Sequence, residues 1–401
     1  MRAVTTRPSL ALAALAVGAF AIGTGEFVIM GLLPDVAGGL GVDIPDAGRL
    51  ISAYALGVVV GAPLLIAAAN RFPRKAVLVA LMGGYAGFNL LSALVPSYEL
   101  VFGARFLAGL PHGAFFGIGA VVAGNLVTPD RRARAMSMMF AGLTLANVAG
   151  VPVGTLIGQQ VGWRWVFAVV GLIAAAAALA VVLAVPDVRA GGGVRLGQEL
   201  RALAHRPVWL ALLIATVGGA VLFSTYSYIT PMLTEVAGFT PTEVTLLLAL
   251  FGVGMTVGNL VGARLADLAT MPTIYGALVA DIVVALLFVP ALQNQATAMV
   301  ALFAFAVATF SLVPAVQLRI ITAAGDAPNL ASGANQAAFN VANAIGAALG
   351  GAVIGAGFGY ASPNVVAAGL AAVGLVVAVV AGRSEKAGAR RERVLAGSSA
   401  A

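Results

Sequence analysis

Residues 146–154 read ANVAGVPVG and residues 342–350 read ANAIGAALG, so Asn147, Gly150 and Gly154 return as Asn343, Gly346 and Gly350 after 196 positions. Earlier in the chain, Pro34, Gly57, Gly61 and Asn70 are answered 197 positions later by Pro231, Gly254, Gly258 and Asp267. Single coincidences are common in a chain with 50 glycines, but one nearly constant offset over most of each half is not. The sequence is an internal duplication.

The duplicated unit is a membrane unit. Of the 401 residues, 61% are hydrophobic and 9% charged, a composition that water cannot dissolve as a globule. A transmembrane helix takes roughly 20 apolar residues. Apolar windows bounded by charges, prolines and turn residues fall at 10–36, 47–69, 76–95, 100–127, 135–160 and 165–185, and again at 208–232, 243–265, 272–290, 297–319, 329–355 and 362–382. The fold class expected is an all-α membrane protein of twelve transmembrane helices in two pseudo-symmetric six-helix bundles, 1–185 and 208–382. A linker, 186–207 with Gly191, Gly192 and Gly193, joins them, and a tail, 383–401, follows. Six spans per unit is an even number, so both halves run the same way and the pseudo-two-fold axis lies along the membrane normal.

Lys and Arg set the orientation, because cytoplasmic loops retain positive charge during insertion. With both termini cytoplasmic, all 22 lie on the inner side except Arg49, Arg164 and the intramembrane Arg105. The net charge of +7 is thus topological and implies no nucleic-acid partner, although Arg390, Arg391 and Arg393 form a basic tail that suits anionic lipid. Arg2, Arg7 and Ala19-Phe20-Ala21 have the outline of a secretion signal, but the apolar run continues to Leu33 and the duplication needs this helix. The absence of cysteine, with two histidines, leaves no disulfide framework and no expected metal site. No nucleotide-binding loop, HExxH motif or catalytic dyad is found, so neither a cofactor nor an enzyme is expected and the driving force is a gradient.

Ionisable residues at membrane depth are functional candidates because burying a charge there is costly. They are Glu26 in the first span, Arg105 and His112 in the fourth, and Asp281 in the ninth. A carboxyl in an apolar cavity loses its desolvation cost on protonation, which makes Glu26 the leading candidate for proton coupling. Arg105, Gly109, His112 and Phe116 share one helix face, expected to line the cavity, with Arg105 as counter-charge to Glu26. Tyr54, Phe115, Phe116, Asn147, Tyr226, Tyr228 and the one-face set Gln336, Asn340 and Asn343 are the expected substrate lining, suited to a small neutral or amphipathic molecule. Gly150, Pro152 and Gly154 give the fifth span a bend and a flat face for rocking against the other half or for tight packing.

With these residues in view, the chain resembles the major facilitator superfamily over nearly its whole length, and within it the drug:proton antiporters and arabinose-like efflux permeases of bacteria. The segment Asn70-Arg71-Phe72-Pro73-Arg74-Lys75 is similar to the loop motif G-x-x-x-D-R-x-G-R-K, with Asn70 in place of its acid and Asp267 at the repeat-related position. Arg105 with Gly109 matches R-x-x-x-G, and Gly150, Pro152 and Gly154 follow the antiporter motif with Val151 inserted. Gly25-Glu26-Phe27, Leu33-Pro34-Asp35 and Leu110-Pro111-His112-Gly113 look most like exporters of chloramphenicol, sugars and purine nucleosides. The resemblance implies a monomer in the bacterial cytoplasmic membrane that exports a drug such as chloramphenicol against protons by alternating access. A sugar or nucleoside exporter, or a uniporter of the same fold, is the alternative.

Overall fold

The structure is a computed structural model that describes residues 8–69, 71–128, 131–186, 205–324 and 328–398, with side chains except at 133, 328–333 and 385–398. The expected linker therefore lies mostly outside the described residues, as does Asn70.

Among the described residues, eleven helices are long and apolar enough to cross a membrane, and one of them, Pro241–Ala291, is 51 residues long. At about 1.5 Å per residue it is more than twice the thickness of a hydrocarbon core. It breaks at Ala269 (φ −160°, ψ 92°), just before Pro272, and so supplies two spans. The twelve are α1 (Pro8–Gly31), α2 (Ile44–Ala69), α3 (Arg74–Leu94), α4 (Tyr98–Asn125), α5 (Arg132–Leu145, continuing through Val151–Val161), α6 (Trp163–Ala184), α7 (Arg206–Tyr226), α8 (241–268), α9 (270–291), α10 (Gln295–Ala324), α11 (Pro328–Val353) and α12 (Ser362–Ser398).

The ends of these helices follow local chemistry. Thr240 caps α8 with Glu243 as a reciprocal capping box and Pro241 in the first turn, and Ser97 caps α4. The first span is shorter than expected: α1 stops at Gly31, and Leu33–Leu40 forms a separate short helix ending on Gly41 in the left-handed conformation. The last is longer, because α12 runs on through the expected tail to Ser398. Inside α5, Ala146–Gly150 is a π-helical turn, which takes up one residue more than an α-turn and directly precedes Val151 and Pro152.

The duplication is visible in the packing. A Cβ on Gly61 would strike the backbone of Leu110, and one on Gly258 would strike Val307, again 197 positions apart, so α2 packs on α4 as α8 packs on α10. The buried face of α3, at 78, 81, 82 and 85, recurs on α9 at 274, 277, 278 and 281.

Three hydrophobic clusters decide the shape. The first joins the halves at the end away from the termini, bringing Phe27, Leu33 and Leu50 together with Phe223, Ile229 and Leu248. The other two lie toward the termini and belong to one half each, one around Leu15, Met82 and Phe115, the other around Ile214, Leu278 and Leu312. The halves thus meet at one end and part at the other.

Candidate functional site

At the contact between the halves, α1 presents Glu26 and α11 presents Asn343. Glu26 is 3% exposed, and its Oε1 accepts a hydrogen bond from Asn343 Nδ2 at 3.2 Å. Small residues beside Glu26 let α1 pack closely within its own half: a Cβ on Gly25 would meet the Tyr85 hydroxyl, and one on Gly23 would meet Leu143 and Ala146 of α5.

Arg105 is fully buried, but it is not an ion-pair partner of Glu26. Its Nη1 donates to the carbonyl of Gly25 at 3.0 Å, and its guanidinium lies 4.4 Å from the Tyr54 ring centroid and 5.1 Å from that of Phe167. The arginine therefore fixes the backbone immediately before Glu26 and rests its charge on two aromatic faces. The expected cavity-facing stripe is also turned inward: Gly109 abuts the α2 backbone at Tyr54 and Gly57, while His112 and Phe116 are buried. Tight α2–α4 packing and the cost of exposing a guanidinium to an apolar surround both favour this arrangement.

His112 heads a chain of hydroxyls. Its Nδ1 lies 3.1 Å from Tyr54 Oη, Tyr54 donates to Tyr85 Oη at 3.4 Å, and Tyr85 donates to the carbonyl of Ile22 at 3.3 Å, one helical turn from Glu26. Those directions make His112 the Nδ1–H donor at the head of the chain. Tyr85, like Phe167, was invisible to sequence reasoning, because an aromatic inside an apolar span gives no pattern of its own.

In the C-terminal half the repeat offset maps Glu26, Tyr54, Arg105 and His112 onto Phe223, Phe251, Leu302 and Thr309, so these four side chains have no ionisable counterpart there. What stands opposite Glu26 is aromatic. Phe223 stacks on Phe27 at 6.2 Å and meets Phe339 at 5.0 Å, and Tyr226 stacks on Phe251 at 4.4 Å. Asn147 lies on the π-turn of α5, where a Cβ on Gly252 of α8 would touch its backbone. Asn340 is one turn before Asn343, and its Nδ2 donates to the carbonyl of the half-buried Gln336 at 3.0 Å. Phe115 and Phe116 sit instead in the N-terminal half beside His112. Tyr228, grouped with Tyr226 on sequence, is elsewhere: its hydroxyl donates to the carbonyl of Ala347 at 2.7 Å, against Gly48 and Gly351 at the closed end.

Five hydrogen bonds that sequence reasoning did not anticipate tie the halves at that closed end. Thr230 donates to the carbonyls of Met30 and Gly31, Ser52 to that of Ala344, Gln159 to that of Pro241, and Thr245 to Gln159 Oε1. Gly150 and Gly154 pack on Thr24 and Val28 of α1, within their own half, with Pro152 buried between them. Arg71 and Asp267 are exposed, Arg74 and Lys75 half-buried, and no ion pair joins these four. Asp281 is fully buried on α9, with no hydrogen-bond partner for either oxygen. A cleft of about 650 Å³ between α8, α9 and α10, lined by Leu268, Pro272, Phe303 and Val307 among others, is almost wholly apolar and contains none of the ionisable candidates.

The sequence pattern described as Major Facilitator Superfamily matches residues 15–328. The chain is 42% identical over 374 residues to the "Inner membrane transport protein YdhP" of Escherichia coli (strain K12), covering 93% of this chain and 96% of that protein. It is 35% identical over 379 residues to the "Chloramphenicol resistance protein" of Streptomyces lividans, covering 92% and 95%. Among solved structures, a bacterial homologue of the human lysosomal transporter Spinster in an inward-facing and occupied conformation superposes with a TM-score of 0.75 at 16% identity, covering 94% of this chain and 98% of that one.

Proposed function

This chain belongs to the Major Facilitator Superfamily, a membrane transporter and not an enzyme, and we propose that it exports a small neutral or amphipathic molecule in exchange for protons. The observation that carries the reading is the Glu26–Asn343 bond, the one place where an ionisable side chain of one half is hydrogen-bonded to the other half among the described residues. A carboxylate accepts that bond more strongly than a neutral acid does, so adding or removing one proton biases how firmly the halves hold together around the site.

With both termini cytoplasmic, the closed end faces outward and the parted end opens to the cytoplasm, the state in which a cytoplasmic substrate enters. The proton then leaves Glu26 on the cytoplasmic side, and a new one arrives when the outer end opens. The His112–Tyr54–Tyr85 chain ends on the carbonyl of Ile22, one helical turn from Glu26, so it holds the helices around the acid in place and does not itself carry its proton. One proton moving through about 100 mV supplies roughly 2.3 kcal/mol, enough for a gradient of about 50-fold. The names of the relatives, an inner-membrane transport protein and a chloramphenicol resistance protein, support both the membrane and the direction.

The experiment is drug-induced collapse of an imposed pH gradient in proteoliposomes, wild type against Glu26→Gln. Collapse on adding chloramphenicol, lost in the variant, is the expected result. Equal collapse in both removes Glu26 from the mechanism.

A further inference from the structure

Five asparagines are buried among the described side chains; Asn364 accepts from Thr225 through its amide oxygen, and the other four each donate one amide N–H to an oxygen. Asn89 donates to the carbonyl of Tyr85 at 2.8 Å, Asn147 to that of Leu143 at 3.0 Å, Asn340 to that of Gln336 at 3.0 Å, and Asn343 to Glu26 Oε1 at 3.2 Å. Only the nitrogen end of an amide can bond a carbonyl or carboxylate oxygen, so the partners fix which end is which. All four amide oxygens are left buried without a protein partner. Three of them, on Asn147, Asn340 and Asn343, flank the contact between the halves. Asn147 and Asn343 are repeat-related, one from each half, and Asn340 is one turn from Asn343 on the same face.

Of the amide atoms beside Glu26, those left wholly without a partner are therefore the oxygens, which are acceptors, while each nitrogen already holds one bond. The hydroxyls of Thr24 and Tyr226 work either way and add no preference. The nearest guanidinium, Arg105, is fully buried, bonds Gly25 through Nη1 alone and lies over the rings of Tyr54 and Phe167, its Nε and Nη2 without a hydrogen-bond partner. The walls are the stacked rings of Phe27, Phe223, Tyr226, Phe251 and Phe339.

Resting on the transport reading above, we infer that the site selects an aromatic molecule bearing at least two N–H or O–H donors, received by the amide oxygens of Asn147, Asn340 and Asn343, and rejects carboxylates and phosphates. A ligand without donors leaves those oxygens desolvated and unpaired, and an anion faces Glu26 and three carbonyl dipoles while the one guanidinium nearby rests on the Tyr54 and Phe167 rings. The rings accept the flat body by stacking.

The test is equilibrium binding to the full chain in detergent, with no gradient present. The probes are chloramphenicol and adenosine, their O-acetylated forms, which keep the rings and lose the hydroxyl donors, and 4-nitrobenzoate as an aromatic anion. Expected is binding of at least one donor-bearing probe, weakened about 10-fold or more on acetylation, with no competition by 4-nitrobenzoate. Asn147→Leu and Asn340→Leu should weaken the same probe about 10-fold, while Asn89→Leu, which removes an equally buried amide away from the contact, changes it less than about 2-fold. Acetylated probes that bind as tightly as their parents, displacement by 4-nitrobenzoate, or no binding by either donor-bearing probe overturns the assignment. The arms on wild-type protein decide even if a variant fails to fold. Because no proton moves in this assay, an intact binding pattern with failed export refutes the coupling alone, and intact export with a failed pattern refutes the recognition alone.

Discussion

Asn343 Nδ2 and Glu26 Oε1 meet at 3.2 Å across 317 positions of sequence, and this bond joins the two six-helix halves beside the aromatic cluster. Replacing Asn343 by Leu keeps the volume and removes the donor, leaving the Glu26 oxygen buried without a partner. Gradient-driven export in proteoliposomes should fall about 10-fold or more while the purified protein stays monodisperse. Export at the wild-type rate shows that the cross-half bond has no part in coupling.

Arg105 makes a different prediction, because its guanidinium lies over Tyr54 and Phe167 while it bonds the carbonyl of Gly25. A lysine keeps the charge but cannot stack a planar fork between two rings. Arg105→Lys should cost about 2 kcal/mol of stability and lose export as the Gly25–Glu26 segment loosens. Thermal unfolding in detergent gives the first quantity and proteoliposome flux the second. A variant as stable as wild type contradicts the stacking role.

These residues show where sequence reasoning holds and where it stops. Glu26 and Arg105 stood out because a charged group inside an apolar run is conspicuous whatever it touches. Their partners did not, because which helix face meets which is set by packing between segments hundreds of residues apart. Asn343 was legible as a repeat of Asn147, but not as the donor to Glu26. Tyr226 and Tyr228 were placed in one lining although residues two apart on a helix point to nearly opposite sides, so helical periodicity alone separates them. The long apolar run from 241 to 291 was read correctly as two spans from its charges and Pro272, whereas the break after Gly31 was missed although Pro34 and Asp35, in the first turn of the short helix that follows, mark it.

Asp281 repeats the position of Tyr85 on the buried face of its helix, yet neither of its oxygens has a donor. An ionised carboxylate without a donor is the costliest occupant of such a place, whereas an amide of the same shape never carries charge. Asp281→Asn should leave the unfolding temperature unchanged or higher and, if Asp281 carries a coupled proton, lower the number of protons exchanged per substrate. Paired measurement of proton and substrate flux decides this, and an unchanged ratio assigns the acid no part in coupling.

The closed end supplies the last prediction. The Thr230 hydroxyl reaches the carbonyls of Met30 and Gly31 at 3.0 and 3.1 Å from the opposite half. Thr230→Val is nearly isosteric and removes that tie. One hydrogen bond contributes about 1 kcal/mol, so the equilibrium should shift about 5-fold toward arrangements open at this end. The chain has no cysteine of its own, so a single Ala47→Cys, at a position fully buried in the closed arrangement, reports the opening cleanly. Its rate of maleimide labelling in detergent should rise about 5-fold when Thr230→Val is added. A constant rate means that the apolar cluster around Phe27, Ile229 and Leu248 holds this end closed without help from the hydroxyl.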